Sequence, residues 1–349
     1  MYTKFWAAAS EGEYNAMGSD KSPELFNPAA IREMAVAFQQ SRILLTAYEL
    51  NLFTIMDGHL LTSDSIAEKT EASREGIERV LNALVSIGLV RKTHGKFFNS
   101  EEASRYLVKG KPEYMSGLMH TNHMWNNWST LTDAVKKGSS VCKREPESVD
   151  AKLDSFISAM HYRAIPQSKI ISLLLDFNNV KHILDLGGGS GAFAMTFLKN
   201  KPDAKATLFD VPGVVELAKN YVDAENLSDR FSYIAGDYLA DNYGEGYDMI
   251  FASAIVHINS FEENKNLVKK CYDSLNSGGQ IVISDWVMND ERTEPKSGTL
   301  FAINMLVATE SGNTYTEKEI YSWLTDAGFI NHQRKDTSFG TTLIIGRKP

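Results

Sequence analysis

The apolar run MIFASAIV, residues 249–256, leads directly into His257. Such a run predicts a buried strand. The exit of a strand is where open α/β sheets bind ligands. Imidazole is the side chain best suited to take up or release a proton near neutral pH. A core histidine with a satisfied hydrogen bond fits this stretch equally well when it is read alone. Three acids occupy similar places. HILDLGGGSGAF puts Asp185 two residues before a glycine loop, LFDVP ends a second strand on Asp210, and AGDYL ends a third on Asp237. Glycines permit strained torsions and let backbone N–H groups approach a ligand.

The charge of this cleft selects among ligands. Gly187, Gly189 and Ala192 satisfy the dinucleotide pattern G-x-G-x-x-A, so a nicotinamide cofactor is one candidate. Asp185 opposes it. A pyrophosphate beside that carboxylate meets a repulsion of roughly 4 kcal/mol per charge pair at an ion-pair distance and an effective dielectric near 20. A ligand carrying an ammonium and a sulfonium is attracted instead, and S-adenosylmethionine is such a ligand. Asp210 is then placed to accept from both ribose hydroxyls, Asp237 to take the adenine amino group, and Tyr238 to lie against the adenine ring.

The elements that must hold these residues follow from the pattern. From about residue 180, short apolar strands alternate with helices, through HILDLG, ATLFDV, FSYIAGD, YDMIFASAIV and GGQIVISDWV. The alternation predicts an α/β fold, a Rossmann-like doubly wound sheet that is mainly parallel. The tail from Thr325 reads as two further strands. Residues 23–110 read as mostly α-helical, with Pro28 near one helix start. Within them Ser65 opens a short helix, Ser73 caps a second over Arg74–Ile87, and LVRKTHGKFFNS makes a hairpin turning at His94 and Gly95. This is a winged-helix order. Residues 61–100 carry six cations against five acids. A helix that reads DNA presents an excess of positive charge, so packing or dimerisation is preferred over nucleic-acid binding. Residues 111–170 read as connecting helices. His120 and His123 share a helix face there but lack a third ligand nearby, so no metal site is expected. FISAMHYRA offers a second face through Phe156, Met160 and Arg163.

Composition predicts an ordinary soluble globular protein, and the length suggests two domains. The chain has 349 residues, 43% hydrophobic and 23% charged, with a net charge of −8. The acidic balance disfavours bulk nucleic-acid binding. No apolar run is long enough to span a membrane. The first residues lack the basic start and apolar block of a secretory signal. Cys142 and Cys271 stand far apart, so a reducing cytoplasm is expected.

DLGGGSG, LFDVP, AGDYL, the VH after the fourth strand, NSGGQIVISD and DAGF together resemble the class I S-adenosylmethionine-dependent O-methyltransferases of the caffeic acid and hydroxyindole type. The likeness spans nearly the whole chain. It implies a homodimer through a winged-helix dimerisation domain over 1–110, linker helices lining the acceptor pocket over 111–170, and a cofactor-binding catalytic domain over 171–349. It implies that His257 is the general base and that Asp285, 28 residues on, orients it. Asp185, Gly187, Gly189, Asp210, Gly236, Asp237, Tyr238 and Ser253 would hold S-adenosylmethionine and its product S-adenosylhomocysteine. Phe156, Met160, Trp125 and Met305 would line the pocket of a small aromatic or polyketide-like acceptor. The sequence departs from that pattern at three places. His257-Ile258-Asn259 replaces the usual His-Asp-Trp, Ser253 takes the place of a lysine, and Thr314 stands where the family has a second acid. Methylation of carbon, nitrogen or sulfur, cofactor use without methyl transfer, and a cofactor-sensing winged-helix regulator stay open as alternatives.

Overall fold

A computed structural model of the chain describes residues 27–142 and 149–349, apart from the side chains of 149–152 and 155. The expectation of no signal segment falls on residues 1–26, outside the described residues.

The N-terminal part begins with α1 (Pro28–Val36), α2 (Phe38–Glu49), α3 (Leu52–Ile55) and α4 (Ser63–Thr70). It continues through α5 (Arg74–Ser86), the strands β1 (Val90–Thr93) and β2 (Lys96–Asn99), and α6 (Glu101–Tyr106). Capping sets the boundaries. The Thr62 hydroxyl accepts from Ser65 N–H, so α4 starts two residues before the Ser65 expected from sequence. Ser73 caps α5 as expected, accepting from Gly76 N–H. Ile77, Leu81 and Leu84 recur at helical spacing along α5 and are fully buried with Phe53, Ile66 and Phe97. His94 and Gly95 both take positive φ, 47° and 73°, which closes β1 onto β2 in a tight hairpin turn. The cations of this region are offset by acids. Arg74 lies 3.2 Å from Asp64, and Lys92 lies 3.7 Å from Glu78.

Three helices lead to the second half: α7 (Leu118–Trp128), α8 (Leu131–Lys137) and the long α9 (Val149–Leu174). There follow β3 (His182–Leu186), α10 (Ala192–Asn200), β4 (Lys205–Asp210), α11 (Pro212–Ala224), β5 (Phe231–Ala235) and β6 (Tyr247–Ser253). Next come α12 (Phe261–Ser274), β7 (Leu275–Asp285), the short β8 (Val287–Met288), α13 (Lys296–Ala308) and the short β9 (Tyr315–Thr316). The chain closes with α14 (Glu317–Ala327), β10 (Ile330–Asp336) and β11 (Thr342–Arg347).

Seven strands form one sheet in the order β10-β11-β7-β6-β3-β4-β5. The pairs among β3 to β7 are parallel, while β11 runs antiparallel to both β7 and β10. The chain leaves β3 toward β4 and β5, then returns to lay β6 on the other side of β3. That reversal is a topological switch point, where the crevice of such a sheet opens. Both faces are covered. Tyr247, Ile250, Ile281 and Trp323 pack on one side, and Ile183, Phe197, Phe251 and Val282 on the other. Burial on both faces explains why the strands read as unbroken apolar runs.

Trp323 of α14 is fully buried, with its ring against Phe261 and Tyr315. Its indole N–H has no hydrogen-bond partner among the described residues. Trp323→Ala is expected to lower stability by about 3–5 kcal/mol, because a large core side chain is removed. Trp323→Phe should lose less than half of that, since no hydrogen bond is broken. Urea denaturation of the two variants against the parent checks the difference.

Candidate active site

β6 and β7 pair in parallel with Ser253 beside Ser284, so the two strands end at one level. Asp285, the last residue of β7, is 2% exposed. Beyond Ser253 the chain turns through Ala254, whose φ of 59° lies in the left-handed region. A non-glycine residue there costs roughly 1–2 kcal/mol. The Ala254 N–H donates to Ser284 O at 2.9 Å, which pins the turn. A single 3₁₀ turn, Val256–Ile258, then delivers His257, 7% exposed. Its Nδ1 stands 2.9 Å from each oxygen of Asp285. A carboxylate can only accept, so Nδ1 carries the proton and Nε2 keeps a lone pair. Asp285 also accepts from the backbone N–H of Trp286 at 2.8 Å and of His257 at 3.3 Å.

Around this pair stands an aromatic wall. Trp286 and Phe301 stack with centroids 3.7 Å apart, and both meet the His257 ring edge-on, at 5.7 and 4.7 Å. The segment after α13 closes the other side. Asn313 N–H donates to His257 O at 2.9 Å, and a Cβ at Gly312 would fall 2.5 Å from that same oxygen. This stretch therefore grips His257 through its backbone. Thr314 is buried beside it, and its carbonyl accepts from Arg292. Glu310, close to Thr314 in sequence, is exposed.

The glycine loop follows β3. Gly187 has φ 65°, and a Cβ there would lie 2.5 Å from Cγ2 of Ile255, so the loop rests directly on the segment that carries His257. Its amides are turned inward. Gly187 and Gly188 N–H donate to Phe209 O, Gly191 N–H to Gly188 O, and Gly189 N–H to the Asp210 carboxylate at 2.9 Å. A pyrophosphate would have to compete for those donors and displace an acid, which opposes the dinucleotide candidate. Above Gly189 there is open space where a Cβ would sit.

The three acids at the strand ends differ in depth. Asp185 does not line the cleft as a bare charge. It is 2% exposed beneath the loop and meets Ala194 N–H at 3.4 Å. Burial pushes its pKa up to about 7. Asp210 ends β4 and accepts from Gly189 and Val211 N–H; burial raises its pKa too. Asp237 is exposed and closes its own turn, accepting from Leu239 N–H at 2.8 Å, while its N–H donates to Asp241. Gly236 sits where a Cβ would meet Asp241 Oδ2 at 2.7 Å. The Tyr238 hydroxyl donates to Asn259 Oδ1 at 3.1 Å, and Asn259 continues through Asn264 to Val256 O. Ser253 is half-buried at the end of β6. Gly189, Asp210, Asp237 and Tyr238 thus gather at neighbouring strand ends and fit a ligand rich in hydroxyl and ammonium donors.

Phe156, Met160 and Arg163 lie on one side of α9. Phe156 meets the His120 ring at 5.1 Å, Met160 is half-buried, and the Arg163 guanidinium lies 5.0 Å from the Trp286 ring centre. Met305 is buried on α13. Trp125 is a correction. It packs on α2, against Phe38 and Arg42, and Trp128 instead reaches α13, donating to Asn304 at 2.9 Å. Nothing in the sequence analysis singled out His161, which pairs with Ser190 Oγ of the glycine loop at 2.8 Å and lies 4.2 Å from the Tyr221 ring. Phe301 and Gly312 were missed as well. Among the described residues no three His, Cys, Asp or Glu side chains cluster as a metal site would need.

Because Asp185 binds its proton more tightly in the folded state, folding retains a proton that the unfolded chain releases between about pH 4 and 7. Stability from this group is fully present below the unfolded value and is lost as pH rises through 7. Asp185→Asn should therefore flatten the fall in urea midpoint between pH 4.5 and 7.5, measured without ligand. An unchanged slope would remove the assignment.

Known proteins resemble this chain along most of its length. The profile of the O-methyltransferase dimerisation domain matches residues 33–110, and that of the O-methyltransferase domain matches residues 128–330. The tetracenomycin polyketide synthesis 8-O-methyl transferase of Streptomyces glaucescens is 28% identical over 330 residues, 92% of this chain and 97% of that one. The 3-hydroxy-5-methyl-1-naphthoate 3-O-methyltransferase of Streptomyces sahachiroi is 28% identical over 319 residues, 89% and 92% of the two chains. The crystal structure of human N-acetylserotonin methyltransferase in complex with S-adenosylmethionine superposes with a TM-score of 0.79 at 26% identity, covering 94% and 99%. With one profile spanning more than half of its residues and the other preceding it in order, this chain belongs to the O-methyltransferase family, enzymes that take their methyl group from S-adenosylmethionine.

Proposed function

We propose that the chain moves a methyl group to a hydroxyl of a small aromatic or polyketide-like molecule, with His257 as general base and Asp285 as its orienting partner. The observation that carries this is the contact of His257 Nδ1 with both oxygens of Asp285, at 2.9 Å. It leaves Nε2 as the one ring atom able to take a proton. Asp285 holds the ring against rotation and stabilises the imidazolium that forms. The acceptor class rests on the names of the two bacterial relatives and on the Trp286–Phe301 stack, which presents a flat apolar surface beside the base.

S-adenosylmethionine, when bound, supplies a methyl group made electrophilic by a sulfonium whose leaving thioether is neutral. Gly187, Gly189, Asp210, Gly236, Asp237, Tyr238 and Ser253 would hold it, and Asp185 would support the loop from beneath. Bringing the hydroxyl into line with that methyl is the work of the pocket, and such positioning supplies about 7–11 kcal/mol in well-oriented reactions. Phe156, Met160 and Met305 would shape the pocket, and Trp128 joins α7 to α13 at its edge. Residues 1–110 would form a winged-helix dimerisation domain, 111–170 the linker and 171–349 the catalytic domain, in a cytoplasmic homodimer. The balanced charges of α5 and the hairpin favour that role over DNA reading.

A second reading draws on Thr314 and Asn259, which depart from the family pattern. With one carboxylate at His257 the enzyme would transfer methyl to carbon, nitrogen or sulfur, or use the cofactor otherwise. A panel of hydroxylated, aminated and thiolated naphthalenes with the cofactor separates the readings by the mass of the product.

His257→Ala should lower kcat on the best hydroxylated acceptor about 10²–10⁴-fold and leave S-adenosylhomocysteine affinity unchanged. Asp285→Asn should lower kcat in the same direction. Retention of full turnover by His257→Ala would remove the base from the mechanism.

A further inference from the structure

Arg163 has no place in the reaction as described above, yet it stands beside its centre. It is carried on α9, on the side shared by Phe156 and Met160. Its guanidinium lies over Trp286, 5.0 Å from the ring centre, and Trp286 stacks on Phe301, with both rings against His257. Among the described residues, hydrogen bonds and ion pairs satisfy many of the cations, as at Arg42, Arg230 and Arg292. No hydrogen bond or ion pair joins Arg163 to any described residue.

The side chain is open to solvent, yet the protein around it is dense enough to depress the guanidinium below its ordinary value. Asp285 acts in the opposite direction without reaching ion-pair distance. A planar cation with five donors, held at an aromatic face and without a hydrogen-bond acceptor among the described residues, is matched to a planar oxyanion. Asp285 does not satisfy it, because both oxygens of that carboxylate are engaged by His257 and by backbone N–H groups.

We propose that Arg163 binds an oxyanion of the acceptor, so that the preferred substrate is an aromatic ring carrying a carboxylate next to the hydroxyl that is methylated. The ring lies along the Trp286–Phe301 wall, the carboxylate meets the Arg163 fork, and the neighbouring hydroxyl is turned toward His257. Arg163 is a specificity and positioning residue, and the reaction at His257 is unchanged. This inference rests on the pocket assignment of the proposed function but is tested through binding, independently of turnover. Carboxylate chemistry has a second source, the methionine end of the methyl donor, and the experiment separates the two.

The probes are 3-hydroxy-2-naphthoic acid and 2-naphthol, titrated by calorimetry into the full-length protein saturated with S-adenosylhomocysteine. S-adenosylhomocysteine itself is titrated separately. The parent protein should bind the naphthoate at least about tenfold more tightly than the naphthol, the worth of one charge-assisted pair. Arg163→Gln should abolish that preference by weakening naphthoate alone, and Arg163→Lys should restore part of it. Affinity for naphthol and for S-adenosylhomocysteine should not move, which also shows that the variants fold. Failure of the parent to favour the naphthoate, including failure to bind it, overturns the proposal. So does an equal loss of both probes in Arg163→Gln. A loss confined to S-adenosylhomocysteine assigns Arg163 to the donor and overturns it too. Arg163-dependent naphthoate binding without any methyl ether formed would sustain this inference while ending the hydroxyl-methylation reading.

Discussion

One contact organises the site, the bidentate approach of Asp285 to His257 Nδ1. It depends on the register of two parallel strands. Ser253 beside Ser284 brings the ends of β6 and β7 level, and only then can a residue four positions past one strand meet the last residue of the other. A slip by one position would turn Asp285 to the opposite face of the sheet. The strained turn at Ala254 belongs to the same arrangement, since its N–H is held by Ser284. Local strain of this kind persists where surrounding structure over-determines it. Here a buried carboxylate, a pinned amide and the Asn313 contact all converge on three residues.

The histidine segment and the glycine loop form one packed unit. Ile255 lies between them, with Gly187 leaving room for its methyl group. A side chain at 187 would press on the same segment that positions His257. The acids below and beside the loop have distinct environments. Asp210 is fixed by two backbone donors, Asp185 is buried under the turn, and Asp237 is exposed and engaged in its own loop. Their electrostatic contributions to a cationic ligand are therefore unequal. The most accessible, Asp237, is screened by water, while the least accessible is charged only near and above neutral pH.

What was legible in the sequence was local. Alternation of apolar runs and helices gave the doubly wound sheet, because each strand buried on both faces reads as an apolar block. His257, Asp285 and the glycine loop stood at strand ends, and a strand end can be found from one segment. The hairpin at His94 and Gly95 and the Ser73 cap were equally local. Features that require two distant segments were hidden. Phe301 lies 44 positions beyond His257, and Gly312 approaches the His257 carbonyl from a later loop. Trp125 and Trp128 share a helix that is apolar around much of its circumference, so periodicity could not say which one faces α13. Depth was hidden too, since a carboxylate at a strand end reads the same whether it is covered or open, as Asp185 and Asp237 show. The turn made by Asp237 and Asp241 was within reach, because acids four apart around a short loop commonly bind its amides.

Helix α9 touches both the glycine loop and the surroundings of His257 within three residues. His161 holds Ser190 of the glycine loop, while Arg163 covers Trp286 beside His257. A helix moves as a rod over so short a span. A substitution in this segment that shifts Trp286 would thus also be felt at Ser190. Changes at the two contacts are in this way inherited together.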